Sequence, residues 1–177
     1  MDSFTLNKID FDSLRHILSR YASCSLGREL ALRIGPSRNP QAIFEWLEQT
    51  AQMVDAIRDH GLLPFGGITD IRAAMSRACP GGGASAEDFA AIASALEGAF
   101  NVRKHLLALP EKYEKLQELA SGAGNFEGEI KAIWSIVGPD GQVRDEASEK
   151  LAAARREIER LGEQIRDLIY SYLRNPE

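Results

Sequence analysis

Apolar residues recur along most of the chain at intervals of three and four positions, which is the spacing of one face of an α-helix. Clusters of glycine and proline interrupt this pattern at positions 35–36, 61, 80–83 and 138–141. These residues form turns or end helices, so they divide the chain into separate helical segments. The pattern predicts an all-α fold, with a helical core domain over residues 1–144 and a long C-terminal helix over residues 145–177.

Capping residues predict where several of these helices begin and end. Asn39 followed by Pro40 has the order of an N-cap and a first-turn proline, and Gly61 suits the end of the same helix. Ser85 and Asp88 have the spacing of a capping box, with aspartate in place of glutamate. Two further N-caps are expected at Asp10 and Thr69.

The same periodicity predicts which helical faces are buried. The inward face of the helix after Pro40 is expected to contain Ile43, Leu47, Ala51, Val54 and Ile57. The inward face of the segment after Pro110 is expected to contain Tyr113, Leu116 and Leu119. Residues 130–137 suit either a short helix or an extended piece. The turn signal at 138–141 also permits one small β-hairpin near residues 134–145.

The last segment has the most regular apolar spacing in the chain. Seven residues alternate three and four positions apart, as the a and d positions of heptads do: Leu151, Ala154, Ile158, Leu161, Ile165, Leu168 and Tyr172. We call this set the terminal seam. Helices of this kind are stabilised mainly by packing of the apolar face, so the terminal seam requires a partner from this chain or from another.

Composition places the chain among globular proteins. It has 177 residues, of which 44% are hydrophobic and 27% are charged. A compact protein of 19.5 kDa has an accessible surface of roughly 8,500 Å², so about 70% of the unfolded surface should be buried. The apolar runs are too short for a membrane-spanning helix, and the N-terminus has no secretory pattern. With only two cysteines, we expect a reducing, cytoplasmic environment.

The sequence contains no recognisable catalytic, metal or cofactor motif. It has no phosphate-binding loop of the type G-x-x-x-x-G-K-[ST]. None of the histidines, His16, His60 and His105, has a second histidine or a cysteine three or four positions away. We therefore expect no enzymatic activity, metal or cofactor in this chain.

Three arginines in the last segment, Arg155, Arg156 and Arg160, are the candidate nucleic-acid contacts. Acidic residues alternate with them, and residues 145–177 contain six basic and eight acidic side chains. The spacing predicts ion pairs of Arg155 with Glu159 and of Arg160 with Glu163. A solvated face with internal ion pairs is therefore favoured over a phosphate-binding track. The net charge of the whole chain, −5, is also unlike that of a basic nucleic-acid-binding module.

Four stretches of the sequence, residues 23–31, 47–50, 64–72 and 140–151, together resemble one known family. It is the second bacterial MutS family, the MutS paralogues that lack the mismatch-recognition domain. Residues 23–31 resemble its segment Thr-Ser-Leu-Gly-Lys-Glu-Leu-Ala, and residues 47–50, Leu-Glu-Gln-Thr, resemble its next signature. Residues 64–72 are similar to its loop Pro-x-Gly-Gly-x-x-Asp-Ile-Arg. Residues 140–151 match its stretch Gly-x-Val-x-Asp-x-Ala-Ser-x-x-Leu before a long helix. The four stretches occur in the family's order.

This resemblance implies a helical core domain that leads into a lever helix. In the family, the levers connect an ATPase domain, which uses ATP and Mg²⁺, to a coiled-coil clamp, and a small Smr-type nuclease domain usually follows. The family is linked to mismatch-repair-related functions, branched DNA, suppression of recombination and, in some members, ribosome rescue. No position in this chain matches a family catalytic residue, and the returning lever helix lies outside it.

Three functions are therefore considered. The first is a non-catalytic core and lever module that transmits nucleotide state within a MutS-type ATPase, with the remainder of that protein as its partner. The second is a helical module that binds nucleic acid directly through the three arginines. The third is a free-standing helical protein that forms a homodimer through the terminal seam.

Overall fold

The computed structural model describes residues 3–174, and these residues form helices and connecting loops without a β-strand. The first five α-helices are α1 (Ser3–Lys8), α2 (Phe11–Tyr21), α3 (Ser25–Arg33), α4 (Pro40–His60) and α5 (Arg72–Ala78). The remaining α-helices are α6 (Ala86–Leu107), α7 (Glu114–Ser121), α8 (Glu127–Ile136) and α9 (Glu149–Arg174). Two short 3-10 helices, η1 (Glu111–Tyr113) and η2 (Asp145–Ala147), precede α7 and α9. The all-α prediction is thus confirmed.

The capping residues of the two longest helices in the core act as predicted. The Asn39 side chain accepts hydrogen bonds from the backbone N–H groups of Gln41 and Ala42, at 3.1 and 3.3 Å. Gly61 follows the last residue of α4 with a φ of 87°, a conformation that glycine adopts without steric cost. At the start of α6, Ser85 and Asp88 bond each other's backbone N–H groups, which completes the capping box.

The expected cap at Thr69 is wrong, whereas Asp10 occupies the predicted N-cap position of α2 without a capping bond from its side chain. Asp10 precedes α2 but has a left-handed conformation, and its carboxylate accepts the Ser13 hydroxyl at 2.8 Å instead of a helix N–H group. Helix α5 begins at Arg72, so Thr69 lies too far upstream to cap it. The neighbouring Asp70 accepts the Arg72 backbone N–H at 3.0 Å and provides the first polar contact of that helix.

The core is centred on α6, against which α5, α7 and α8 pack. Its main apolar cluster also includes one face of α4, and its buried members are Ala56, Leu63, Leu106, Leu109, Tyr113, Leu116 and Ala120. Tyr113 and Leu116 are inward as predicted, with exposed fractions of 2% and 1%. Leu119 is 57% exposed, because Leu116 and Ala120 define the inward face of α7 and Leu119 lies roughly a quarter turn from it.

The predicted inward face of α4 is mostly exposed. Leu47 is 61% exposed and Val54 is also exposed, whereas Met53 and Ala56 pack into the core. The Gln52 side chain lies on the same inward side and accepts the Lys115 backbone N–H at 3.0 Å. Helix α4 contacts α7 and η1, and these neighbours select a face more than a third of a turn away from the one with the most regular apolar spacing.

The region that permits one small β-hairpin, residues 134–145, contains the end of a helix, a tight turn and a single antiparallel bridge in place of two strands. Helix α8 continues to Ile136, and an isolated antiparallel bridge joins Val137 to Val143. Around that bridge, the Gly138 N–H donates to the Gln142 carbonyl at 2.7 Å. This turn directs the chain into η2 and α9.

The molecule exposes far more surface than a compact protein of its mass. Its accessible surface is 13,089 Å², against the roughly 8,500 Å² expected for 19.5 kDa. Two features account for the excess: helices α1–α3 pack on one another but on no later described helix, and α9 packs only on η2. Within residues 3–174, no helix is long and apolar enough to cross a membrane.

Candidate interaction surfaces on the C-terminal helix

Helix α9 is held at its base by η2, which also packs against α8. At the first turn, the Ala152 N–H donates to the Ser148 carbonyl at 3.0 Å. The regular helix therefore begins directly after η2. The helix has 26 residues, which corresponds to a length of about 39 Å at 1.5 Å per residue. Most of that length extends beyond the core.

The terminal seam is solvent-exposed along α9. Leu151 at the base is half-buried, but Ile158 is 69% exposed and Tyr172 is 74% exposed. The members between them, Leu161, Ile165 and Leu168, are exposed as well, and so is Ala154. Ile169 and Leu173 widen the apolar surface near the helix end. No helix in the described part of the chain covers the terminal seam, so it presents a continuous apolar face without a partner.

Two of the three candidate arginines are already paired with carboxylates. Arg155 forms an ion pair with Asp145 of η2 instead of the predicted Glu159. Arg160 bonds both carboxylate oxygens of Glu157, at 2.6 and 2.9 Å, instead of the predicted Glu163. Asp145 is brought to Arg155 by the chain reversal before α9, a contact that helical spacing alone does not indicate.

Arg156 differs from the other two arginines. Its guanidinium donates to the Ala152 carbonyl of its own helix at 3.2 Å, and it has no carboxylate partner among residues 3–174. In contrast, the hydrogen bonds from Arg160 hold the pKa of the Glu157 carboxyl below its usual value. The three side chains therefore do not form a uniform phosphate-binding track, because two of them have their charge compensated.

An open cavity of about 470 Å³ lies between the turn after α8 and the base of α9. Its charged lining consists of Asp140, Arg144, Asp145, Glu146 and Arg155. The acidic groups outnumber the basic ones, so the charges of the lining do not favour binding of an anion. In the described residues, no group of three or more histidine, cysteine, aspartate or glutamate side chains could hold a metal ion.

The structure also joins two segments that sequence spacing could not connect. Glu29 of α3 and Arg72 of α5 are 43 positions apart and form an ion pair with a 2.5 Å contact. Both residues lie in stretches that carry the MutS resemblance. Their opposite charges were visible in the sequence, but no periodicity relates residues in separate helices, so the pair was not predicted.

No family model matches the chain. Curated proteins do show similarity over nearly its whole length. It is 30% identical over 178 residues to "Endonuclease MutS2" of Geobacillus sp. (strain WCH70), an alignment that covers 99% of this chain and 23% of that protein. It is 30% identical over 183 residues to "Putative endonuclease MutS2" of Bacillus subtilis (strain 168), with the same coverage of each. A similar protein from Pelotomaculum thermopropionicum is 28% identical over 176 residues.

This similarity supports a relationship to the MutS paralogues indicated by the four sequence stretches. The chain spans just under a quarter of the length of these curated relatives.

Proposed function

We propose that this chain is the non-catalytic helical core and lever-start module of a MutS-type ATPase that acts in DNA repair or recombination control. In this proposal, it transmits nucleotide state between an ATPase domain and a clamp. The relatives are named endonucleases, and the chain corresponds to only 23% of their length. The ATPase and nuclease functions, with their ATP and Mg²⁺, would then belong to the rest of such a protein.

The exposed terminal seam is the observation that carries this proposal. Burial of a leucine or isoleucine side chain is worth roughly 1.5–3 kcal/mol, so a mate covering four of these residues would gain several kcal/mol. A helix with this face exposed is poorly stabilised by itself, since apolar packing supplies most helical stability. The seam therefore has the surface expected of a lever whose returning helix lies elsewhere in the protein.

The charges beside the terminal seam favour an antiparallel mate over a parallel homodimer. In a parallel coiled coil, a g position faces the e position five residues further along the partner helix. With Leu151 at an a position, Lys150 would occupy g and Arg155 would occupy e. A parallel dimer would place these two cations opposite each other on both sides of the interface, at the base of α9, and an antiparallel mate avoids this arrangement.

The base of α9 provides a route for transmitting motion. A helix of about 39 Å moves as a rigid element when its base is repacked, so a small rotation at η2 becomes a displacement at the far end. The Arg155–Asp145 ion pair ties the first turns of α9 to η2. Nucleotide-dependent movement of the body would thus be carried along α9.

Direct nucleic-acid binding by the arginine face is the alternative. Of its three arginines, Arg156 is the one without a carboxylate partner among the described residues. The target in either case would be branched DNA or the ribosome, reached through the complete protein. A homodimer through the terminal seam is the third arrangement.

The decisive experiment places this chain in a complete relative. The segment aligned with it in the Bacillus subtilis protein is replaced by this chain, and ATP hydrolysis is measured with and without a four-way DNA junction. Ile158→Asp puts a charge on the terminal seam, where a packed mate would leave that charge buried and unpaired. We expect the variant to keep its basal hydrolysis but to lose most of the stimulation by DNA.

Ala153→Asp is the matched control, because it adds the same charge at an exposed position of α9 outside the terminal seam. Equal stimulation in the Ile158→Asp and unsubstituted chimeras would contradict the lever role. Junction binding by the isolated chain that decreases steeply between about 20 and 200 mM salt, and that Arg156→Gln weakens, would favour the nucleic-acid alternative. A sedimentation mass of two chains, reduced to one by Ile158→Asp, would favour the homodimer.

A further inference from the structure

Helices α1–α3 form a unit that packs on no later helix of the described chain. Helix α2 packs on α1 and α3, and none of the three packs on a helix between α4 and α9. Residues 34–39 connect this N-terminal unit to α4 without regular secondary structure. Helix α3 ends at Arg33, and Ile34 after it is extended. Pro36 in the connection cannot continue a helix, which keeps α3 separate from α4.

Arg72 bridges the N-terminal unit and the helical body. Its Nη2 atom lies 2.5 Å from Glu29 Oε2 on α3, and its Nη1 atom lies 3.4 Å from Glu29 Oε1. On the body side, the same guanidinium contacts Asp70 through Nη2 at 2.6 Å and Nε at 2.9 Å. Asp70 thereby orients Arg72 toward Glu29.

We propose that the α1–α3 unit is a hinged element whose orientation is set by a polar latch of Glu29, Arg72 and Asp70. Residues 34–39 are the hinge. The latch closes when Arg72, held by Asp70, engages the Glu29 carboxylate, and it opens when that contact is broken. This inference concerns the N-terminal unit and does not depend on the role proposed for α9.

The surroundings of the latch make it reversible. A forked guanidinium–carboxylate pair is among the stronger polar contacts, and it also defines a geometry. However, the side chains of Arg72 and Glu29 are 64% and 39% exposed, so water and salt compete for them. Arg33 of α3 also contacts Glu29, at 3.1 Å, and can retain that carboxylate when Arg72 leaves. An apolar interface, in contrast, would not be opened by added salt.

The test measures a distance across the hinge in the 177-residue chain. Nitroxide labels are attached to the native Cys79, which follows α5, and to a cysteine introduced by Arg20→Cys on α2. Cys24→Ser removes the remaining thiol and keeps a side-chain acceptor at the α3 N-cap. Pulsed electron paramagnetic resonance then gives the distance distribution, and circular dichroism verifies that each variant has the parent's helix content.

We expect one narrow distance peak in the latched chain at low salt. Glu29→Gln and Arg72→Gln should each widen the peak at least twofold, and the double variant should widen it no further, because both changes open one contact. Raising the salt to about 1 M, where the Debye length is near 3 Å, should widen the peak of the latched chain alone.

Arg33→Gln is the matched control, since it removes the other cation at Glu29 without touching the body and should leave the peak narrow. Three results would overturn the proposal: a broad distribution in the latched chain at low salt, a peak unchanged by Glu29→Gln, or equal broadening by Arg33→Gln.

Discussion

Replacing Gly98 with alanine tests how closely the loop after α4 packs on the central helix. Gly98 is buried in the middle of α6, where the loop crosses it. A Cβ atom at this position would lie 2.5 Å from the Gly66 carbonyl oxygen and 2.9 Å from Ile68 Cγ1. Both distances are too short for van der Waals contact, and the carbon–carbon distance is well below the separation of about 3.5–4.0 Å at which carbon atoms attract. The added methyl group therefore requires the backbone of the loop to move.

The expected cost follows from two opposing terms. Overpacking a well-packed site destabilises by about 1–3 kcal/mol, whereas alanine is favoured over glycine inside a helix by about 1 kcal/mol. The loop has little freedom to yield, because Leu63 is buried and Gly67 has a φ of 80° with the Ser94 carbonyl beside it. We expect Gly98→Ala to lower the free energy of unfolding by about 1–2 kcal/mol.

Urea unfolding followed by tryptophan fluorescence measures this effect. Trp46→Phe leaves Trp134 as the single tryptophan, and the Trp134 ring N–H donates to Glu97, the neighbour of Gly98. With a urea slope of about 2 kcal/mol per molar, the midpoint should decrease by about 0.5–1 M. Gly162→Ala is the control, because nothing lies within 4 Å of that site and the change should increase helix content. An unchanged or higher midpoint for Gly98→Ala would refute the packing argument.

Two further predictions concern the α7 face and the acid sensitivity of the fold. Leu116→Ala should reduce stability by about 2–5 kcal/mol, because the side chain is fully buried, whereas the exposed Leu119→Ala should change it by less than about 0.5 kcal/mol. Equal shifts in Tm would contradict the inward face assigned to α7. Hydrogen bonds from the side chain and then the backbone of Arg72 lower the pKa of Asp70 to about 2. Because this pKa lies below the value of about 3.9 in an unfolded chain, the charged carboxylate contributes stability that is fully present above about pH 4 and is lost as the pH falls toward 2. Urea midpoints should therefore fall less steeply over this range in Asp70→Asn, and identical slopes would contradict the prediction.

Helix boundaries could be predicted wherever the capping group and the helix it caps are adjacent in sequence. Asn39 and Gly61 bound α4, and Ser85 with Asp88 begins α6, because these contacts span at most four positions. Thr69 failed as a cap because Asp70 accepts the Arg72 N–H at the start of α5. Where two neighbouring residues can both serve as acceptors, the path of the preceding loop decides between them.

The exposed state of α9 was partly foreseeable. The heptad spacing indicated an apolar face that needs a partner, and the structure leaves Ile158 and its neighbours uncovered within the described chain. The partners of the arginines were not foreseeable in the same way. Arg160 turns toward Glu157 on its own helix, and Arg155 turns toward Asp145 on η2. Several carboxylates lie within reach of each arginine, so spacing alone does not select one.

The amino-acid sequence by itself determined the all-α fold, most helix ends and the terminal seam, because periodicity and capping are local properties of the chain. Tertiary structure decided which face of α4 is buried, where Met53 and Ala56 pack inward while Leu47 and Val54 stay exposed. It also decided that Glu29 meets Arg72 across 43 positions. Both outcomes depend on how separate helices are placed in space. A helix with apolar residues on more than one side can bury either side, and the neighbouring helices determine which side becomes buried.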